Sequence, residues 1–213
     1  MLLSRTVMSL KPQFSKSHIL TAVSSVQGTQ AVPPNLVELY LDYNCRFSYK
    51  IFQKWDDAKL FDKETLSKYN LAFRFNHVIQ PWHPFGTLVH ELGIVAGSLK
   101  PELFWKYSMV LFHDSKELWT EEYTQSKTTI ELYKELSEHC EKHTGLKADV
   151  VYDKLNGSGK DDTTKAIKYF TRYHRQNGVH MTPSIAVNGI ILGNIESSTD
   201  TNKVLEIIQA QTA

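Results

Sequence analysis

The sequence is poor in cysteine: Cys45 and Cys140 are the only two among its 213 residues. Two cysteines cannot build the several disulfide bonds that hold small secreted domains together. We therefore predict a reducing compartment, and the cytoplasm is the expected location of the protein.

Net charge and long apolar runs are also lacking. The 24 basic and 23 acidic residues leave a formal net charge of +1, and no basic stripe follows the chain, which argues against a nucleic-acid partner. No apolar run reaches the length of a membrane-spanning helix, which argues against a membrane protein. The hydrophobic fraction of 41% is that of an ordinary globular core.

The first 37 residues contain no acidic side chain, whereas Arg5, Lys11 and Lys16 are basic. This composition is typical of a mitochondrial transit segment, so a mitochondrial location is the alternative to a cytoplasmic one. Against it, the segment has a single arginine, and "HILTAV" at 18–23 is predicted to form a strand.

The periodicity of apolar residues divides the rest of the chain. Residues 36–43 alternate as in a sheet strand, and residues 69–79 form the next strand. Between them a helix is predicted to begin at Cys45, with every fourth residue from Phe47 to Trp55 on its inward face.

Residues 86–144 show helical periodicity alone, which predicts three or four helices, and the last apolar stripe runs from Ile130 to Cys140. Residues 147–155 and the polar segment 156–162 are expected to lead out of this helical block. Asn188-Gly189, between two branched apolar runs, predicts a hairpin with a type I′ turn. Sheet elements on both sides of a helical block indicate one α/β domain with a helical insertion.

Cys45 lies where the first of these strands meets its helix. A helix N-terminus has unpaired N–H groups and the positive end of the macrodipole, so a thiolate there is stabilised, and Arg46 adds a positive charge. Ser48, one turn later, is expected to donate a hydrogen bond to the sulfur. The alternative is a buried structural cysteine, but the polar neighbours Asn44 and Arg46 favour a reactive or ligand-facing thiol.

Thr182-Pro183 directly precedes the predicted hairpin. A proline at this place is a candidate for a cis peptide bond. An ordinary trans proline that begins an edge strand is the alternative, and the dipeptide alone favours it.

A Cys-x-x-Ser motif after a strand, a helical insertion and a Thr-Pro before a hairpin resemble the DsbA-like branch of the thioredoxin-fold superfamily. Within it, "LYLDYNCRFS" (39–48), "QPWHP" (80–84) and "TLVHE" (87–91) are similar to a fungal group of thioredoxin-like proteins of unknown activity. The resemblance implies a thioredoxin-like domain made of residues 1–83 and 146–213, with an all-helical insertion at 84–145.

The resemblance also implies roles for individual residues. Cys45 takes the place of the family's nucleophilic cysteine, and Ser48 takes the place of its resolving cysteine. Thr182 and Pro183 take the place of the cis-proline loop, where the backbone of Met181 or Thr182 is expected to bind the substrate. The chain departs from the family at Ser48, which removes the internal disulfide, and at Arg46, where many relatives have proline.

Trp82 and His83 follow the second predicted sheet strand, near the expected position of the thiol. Trp82 can form the wall of a substrate cleft, but a core position between sheet and insertion is the favoured interpretation. His83 is interpreted either as a proton carrier at neutral pH or as a solvated side chain.

His139 and His143 have the i, i+4 spacing of metal ligands on a helix. The sequence shows no third ligand, so a solvated helix face is expected and no metal site is predicted. Cys140 lies on an apolar stripe and is predicted to belong to the core.

Two functions are compatible with these features. The first is a monothiol enzyme, in which Cys45 forms a mixed disulfide with a small thiol or a thiol-bearing peptide, and an external thiol resolves it. A related version of this enzyme is a glutathione-dependent thiol transferase, which transfers glutathione to an electrophile. No permanently bound cofactor is expected, and glutathione is the expected co-substrate. The alternative is a non-catalytic binding module that uses the cleft beside Pro183. Ready ionisation of the Cys45 thiol would favour the enzyme.

Overall fold

The computed structural model describes residues 10–22 and 34–212 of the protein. Five strands in these ranges form one mixed sheet in the order β1-β3-β2-β4-β5. They are β1 (Ile19–Thr21), β2 (Asn35–Leu41), β3 (Leu71–His77), β4 (Ser184–Val187) and β5 (Ile190–Ile191). The predicted strands at 18–23, 36–43 and 69–79 are therefore confirmed, although each is shorter than expected.

The central strand β2 is parallel to β3 and antiparallel to β4, with Leu39 opposite both Phe75 and Ile185. The outer pairs, β1 with β3 and β5 with β4, are antiparallel. Six of the seven residues of β2 and all seven of β3 are buried, because helices cover both faces of the sheet. Alternation in the sequence thus identified β2 as a strand without showing that its second face is also covered.

The described residues also form ten α-helices and one short 3₁₀ turn (Pro101–Leu103). The helices are α1 (Pro12–His18), α2 (Arg46–Asp57), α3 (Lys63–Lys68), α4 (Gly86–Leu99), α5 (Phe104–Asp114), α6 (Glu121–Thr124), α7 (Thr129–Thr144), α8 (Ala148–Asn156), α9 (Lys160–Gln176) and α10 (Thr201–Thr212). In this part of the chain, no helix is both long enough and apolar enough to span a bilayer.

The helix after Cys45 forms as predicted, but its inward face is different. Phe47 is 45% exposed, so its assignment to the core is wrong, whereas Ile51 and Trp55 are buried as expected. Ser48 and Phe52 complete the buried face. The stripe follows the i, i+3, i+4, i+7 pattern from Ser48, because polar Ser48 finds a buried hydrogen-bond partner and need not point outwards.

Residues 84–145 contain helices and turns and no strand, as the sequence predicted for this fully described stretch. Two details of the prediction are wrong. Ile130 is 53% exposed, because it lies in the first turn of α7 before the stripe of Tyr133, Leu136 and Cys140 turns inwards. Residues 147–155 do not leave the helical block but contribute to it α8, which packs against α4 and α7.

The predicted hairpin is confirmed. Asn188 and Gly189 have positive φ angles of 51° and 85°, as a type I′ turn requires. The Asn188 side-chain oxygen also accepts a hydrogen bond from the N–H of Leu36 at 2.9 Å, which joins the turn to the start of β2.

Helix α1 was not predicted from the sequence. Its Phe14 ring packs against Tyr169 and Phe170 of α9, so the helix covers one edge of the core. Much of the predicted transit segment, residues 1–9 and 23–33, lies outside the described residues.

Candidate functional site

Cys45 is the N-cap residue of α2, at the corner where the chain leaves β2. Its N–H donates to the carbonyl of Asp42 at 3.0 Å, and its own carbonyl accepts the first helical hydrogen bond from Tyr49 at 3.0 Å. The Cys45 sulfur therefore stands at the positive end of the helix dipole. The residue is 8% exposed, so the thiol is covered except for a small window.

The loop that contains Pro183 faces this thiol. The Cys45 Sγ–H donates to the carbonyl oxygen of Thr182 at 3.5 Å, and the Thr182-Pro183 bond is cis, as expected from the resemblance. The Gln80 side chain donates to the carbonyl of His180 at 3.2 Å and fixes the loop to the end of β3. Met181, next in the loop, is 62% exposed.

Ser48 does not have the hydrogen bond that the sequence suggested. Its hydroxyl is completely buried and accepts the N–H of Asp42 at 3.3 Å, instead of donating to the Cys45 sulfur. Ser48 therefore closes the corner between β2 and α2. The Arg46 guanidinium lies on the outside of the same turn, 4.7 Å from the centre of the Phe47 ring.

A cavity of about 380 Å³ opens beside Cys45. Five residues proposed from the sequence reach this corner or line the cavity: Asn44, Cys45, Arg46, Trp82 and His83. The other walls come from the turn after β2, α2, the turn before α4, α5, the α5–α6 connection and the start of α6: Tyr43, Tyr49, Pro84, Phe85, Phe112, Ser115, Lys116, Trp119, Thr120 and Glu121.

Trp82 is not a core residue. Its side chain is 58% exposed, so the favoured interpretation from the sequence is wrong. The turn after β3 directs the indole over the cavity rim, because the chain must leave the sheet there to begin α4. The helical insertion reaches the same corner through Trp119, whose carbonyl accepts a hydrogen bond from Asn44 Nδ2 at 3.0 Å.

Asp42 was not identified as a site residue, and it is the centre of the polar contacts at this corner. Its carboxylate is fully buried and accepts the backbone N–H groups of Asn44 and Gln80, both at 2.9 Å. The Nδ1 of His83 lies 2.8 Å from Oδ2, and the Nε2 of His90 lies 3.4 Å from Oδ1. Burial opposes ionisation, but these hydrogen bonds outweigh it and hold the pKa of Asp42 below its ordinary value.

This arrangement also determines the tautomer of His83. Because Asp42 is ionised, the Nδ1 of His83 donates to it and carries the proton in the neutral ring. The Nε2 is then free to accept a proton. His83 lines the cavity that contains the Cys45 thiol, so the Asp42–His83 pair combines an orienting carboxylate with a base.

A chain of buried imidazoles continues from Asp42 into the core. His90 Nδ1 lies 2.7 Å from His77 Nδ1, and His77 Nε2 lies 2.9 Å from His18 Nε2. His18 Nδ1 lies 2.8 Å from the hydroxyl of Ser17. If every proton points towards Asp42, each ring donates once and accepts once, and His90 donates to the carboxylate.

The opposite direction is less favourable, because it loses the hydrogen bond from His90 to Asp42 and places the lone pair of His90 Nε2 against the carboxylate. The N–H of Tyr43 then donates to His90 Nε2 at 3.2 Å, and the chain ends where the Ser17 hydroxyl donates to the carbonyl of Phe14 at 3.3 Å. Burial lowers the pKa of His18 to about 3 and, together with the neighbouring imidazoles, holds the pKa of His77 well below 6.5. Both rings are therefore neutral, and the chain holds His90 against Asp42 without adding buried charge.

No sequence pattern pointed to this chain, since its members come from α1, β3 and α4. Asp42, in contrast, could have been identified from the local sequence. It is a carboxylate at the end of a strand, three residues before the cysteine at a helix N-terminus, and such a carboxylate can accept hydrogen bonds from the N–H groups of that turn.

Of the histidines on α7, His143 is exposed, as expected for a solvated helix face, whereas His139 is not. The His139 side chain is only 9% exposed, and the carboxylate of Asp114, at the end of α5, lies 2.8 Å from its Nε2. Asp114 is thus the third potential ligand that the sequence did not reveal. Cys140, between the two histidines, is fully buried, as predicted, and burial raises the pKa of its thiol.

No family model and no curated protein matches the sequence. Solved structures do match the fold along nearly the whole chain. A candidate protein-disulfide isomerase from Pseudomonas syringae has 23% identity and a TM-score of 0.70, covering 92% of this chain and 99% of its own. BdbD from Bacillus subtilis has 18% identity and a TM-score of 0.66, covering 93% and 94%.

A third match is the thiol-disulfide exchange protein α-DsbA2 from Wolbachia pipientis, with 12% identity and a TM-score of 0.58, covering 94% of this chain and 96% of its own. These likenesses extend over the five-stranded sheet and the helical insertion. The chain therefore has the DsbA-like thioredoxin fold.

Proposed function

We propose that the protein is a monothiol thiol-disulfide exchange enzyme that uses Cys45 and takes glutathione as its small-thiol co-substrate. The observation that carries this proposal is the contact of 3.5 Å between the Cys45 sulfur and the Thr182 carbonyl, beside a cavity that also contains the Asp42–His83 pair. The names of two structural neighbours, a candidate protein-disulfide isomerase and a thiol-disulfide exchange protein, support the same class of chemistry.

The reaction has two exchange steps. The Cys45 thiolate attacks the glutathione sulfur of a glutathione mixed disulfide, so that a Cys45–glutathione disulfide forms and the substrate leaves as its thiolate. A second glutathione thiolate then attacks this disulfide, releases oxidised glutathione and restores the Cys45 thiolate. Electrons balance without a second cysteine in the protein, so Ser48 at the resolving position is compatible with turnover.

His83 is proposed as the base that generates the thiolate. Its Nε2 takes the proton of the Cys45 thiol, while the Asp42 carboxylate holds the ring through Nδ1. The same nitrogen returns a proton to the leaving thiolate of the substrate. Ser48 does not contact the reacting sulfur in this scheme, because its hydroxyl is bound to the Asp42 N–H.

The charges around the cavity support a glutathione-sized ligand. Two cations, Arg46 and Lys116, and one carboxylate, Glu121, line it. Glutathione carries two carboxylates and one ammonium group, so its charges are opposite in sign and equal in number to those of the wall. Among the described residues, the N–H groups of Met181 and Thr182 donate to no backbone carbonyl, so an extended peptide can pair with this edge.

Intact-mass spectrometry after treatment with oxidised glutathione tests the proposal. The parent and Cys140→Ala are expected to gain one glutathione adduct each, and reduced glutathione is expected to remove it. Cys45→Ser is expected to gain none. An adduct that is absent from the parent, or that persists in Cys45→Ser, would contradict the proposal.

A second candidate function, a non-catalytic binding module, is favoured by one observation: Cys45 is only 8% exposed. In that case the cleft beside Pro183 would hold a thiol-bearing peptide without forming a disulfide. Binding of reduced glutathione to Cys45→Ser with no adduct on the parent would support this module.

Since glutathione is abundant in the cytoplasm, the predicted cytoplasmic location fits the first candidate, with mitochondria as the alternative.

A further inference from the structure

We propose that Asp114, His139 and His143 form a binding site for a divalent transition-metal cation, with Zn²⁺ as the best-matched ion. One carboxylate oxygen and one nitrogen of each imidazole all lie within 4.8 Å of one another. These residues take no part in the proposed thiol exchange, so a negative result for one proposal does not contradict the other.

The geometry needs little adjustment. His139 and His143 lie one turn apart on α7, with ring centres separated by 4.4 Å. Asp114 Oδ2 lies 2.8 Å from His139 Nε2 and 3.9 Å from His143 Nε2. A tetrahedral Zn²⁺ with ordinary bond lengths separates a ligand nitrogen from a ligand oxygen by about 3.4 Å. On binding, the two oxygen–nitrogen distances would therefore change by about 0.6 and 0.5 Å.

An imidazole that binds a metal through one nitrogen usually forms a hydrogen bond through the other, and His139 has such a partner. His139 Nδ1 lies 2.9 Å from the hydroxyl of Tyr107, which is buried in α5. When Nε2 binds a cation, Nδ1 carries the proton and donates it to the Tyr107 oxygen, which fixes both the tautomer and the ring plane. A solvated histidine on a helix face has no such constraint.

The donor set selects the class of cation. Two imidazoles and one carboxylate suit Zn²⁺ and related transition metals, whereas Mg²⁺ and Ca²⁺ prefer all-oxygen sites. Three protein ligands leave the fourth tetrahedral position to water. The described residues supply no other group of three such ligands.

A cation at this place would strengthen the wall of the thiol cavity. Trp119 lines that cavity, and its ring meets the edge of His139 with centres 4.9 Å apart. By joining the end of α5 to α7, the cation would hold the connection that carries Trp119. We therefore expect Zn²⁺ to raise the stability of the folded protein.

Calorimetric titration with Zn²⁺ in a chelator-free buffer tests the site. The full chain with Cys45→Ser is the parent, because this change removes a competing thiol ligand. One Zn²⁺ per chain is expected, and Asp114→Asn or His143→Ala should weaken binding by about 10–100-fold or more. His180→Ala, an exposed histidine outside the cluster, should bind like the parent.

The change in unfolding temperature on addition of Zn²⁺ is a second measurement. It would be absent if the three residues only stabilised the fold and bound no metal. Zn²⁺ is expected to raise the unfolding temperature of the parent and of His180→Ala, but not that of His143→Ala. Without metal, His143→Ala should unfold near the parent, since its side chain is 29% exposed. Equal Zn²⁺ affinity in parent, Asp114→Asn and His143→Ala, or equal affinity for Mg²⁺ and Zn²⁺ in the parent, would overturn the proposal.

Discussion

The Nδ1 of His83 lies 2.8 Å from Oδ2 of Asp42, and this pair joins the turn after β3 to the end of β2 directly before the cysteine corner. The carboxylate is fully buried, whereas the imidazole is 21% exposed and lines the cavity. One partner is thus enclosed in the core, and the ring of the other lines the cavity beside Cys45.

We predict that His83→Asn slows formation of the Cys45–glutathione disulfide at pH 7 by about tenfold or more, since it removes the base. The difference from the parent should narrow as the pH rises, because hydroxide then removes the thiol proton without a base from the protein. Quenching the reaction at successive times and measuring the adduct by mass spectrometry would give the rates of the parent and of His83→Asn. His180→Asn is the matched control, and a rate ratio that does not change with pH would contradict the role of His83.

The buried imidazole chain makes a prediction about stability. His77→Leu leaves His18 and His90 each without one hydrogen-bond partner, at a cost of about 1–3 kcal/mol for each unpaired group. The free energy of unfolding, from urea denaturation at pH 7.5, should fall accordingly. A loss below about 1 kcal/mol would show that the chain contributes little to folding.

The same variant should change the pH dependence of stability. The pKa of His77 is lowered in the folded state, so its contribution is present above the unfolded value of about 6.5 and is lost as the pH falls below it. Removing His77 should reduce the slope of unfolding free energy against pH by about 0.7 kcal/mol per pH unit at pH 6.5, rising towards about 1.4 at pH 5, where the unfolded imidazole binds one whole proton. Parallel curves for parent and variant would mean that His77 is protonated in the folded state.

Labelling with dilute alkylating reagent at pH 7 is expected to modify Cys45 before Cys140. Cys45 has a small solvent window and a helix N-terminus, whereas Cys140 is fully buried and its thiol pKa is raised. Peptide mapping would locate the label, and Cys45→Ser should remain unlabelled over the same time. Earlier modification of Cys140 would overturn this order.

Ser48→Cys is expected to create a pair that forms a disulfide with Cys45 and gains activity in an insulin reduction assay. Positions 45 and 48 lie one helical turn apart, so their sulfurs can approach bonding distance. The change weakens the hydrogen bond from the Asp42 N–H, at a cost of about 1 kcal/mol. Ser48→Ala carries the same cost without the second thiol and should remain inactive; activity in it or in the parent would show that Ser48 is not the limiting residue.

Local features were predictable from the sequence alone. The alternation of 36–43, the helical period of 86–144 and the Asn188-Gly189 turn each depend on residues a few positions apart, and the structure confirms all three. The corner at Cys45 is equally local, because a strand, a turn and a helix start follow one another in the chain. The sequence therefore determined the fold class and the position of the thiol.

Tertiary structure decided the surroundings of that thiol. His18 and His77 are 59 residues apart in the chain, and Asp114 is 25 residues from His139, so no periodicity could pair them. Trp82 was assigned to the core although it lies at the cavity rim, because apolarity alone does not show whether a turn directs a side chain inwards or outwards. Hydrogen bonds between distant polar groups form only when packing removes water from both, and that packing is a property of the whole fold.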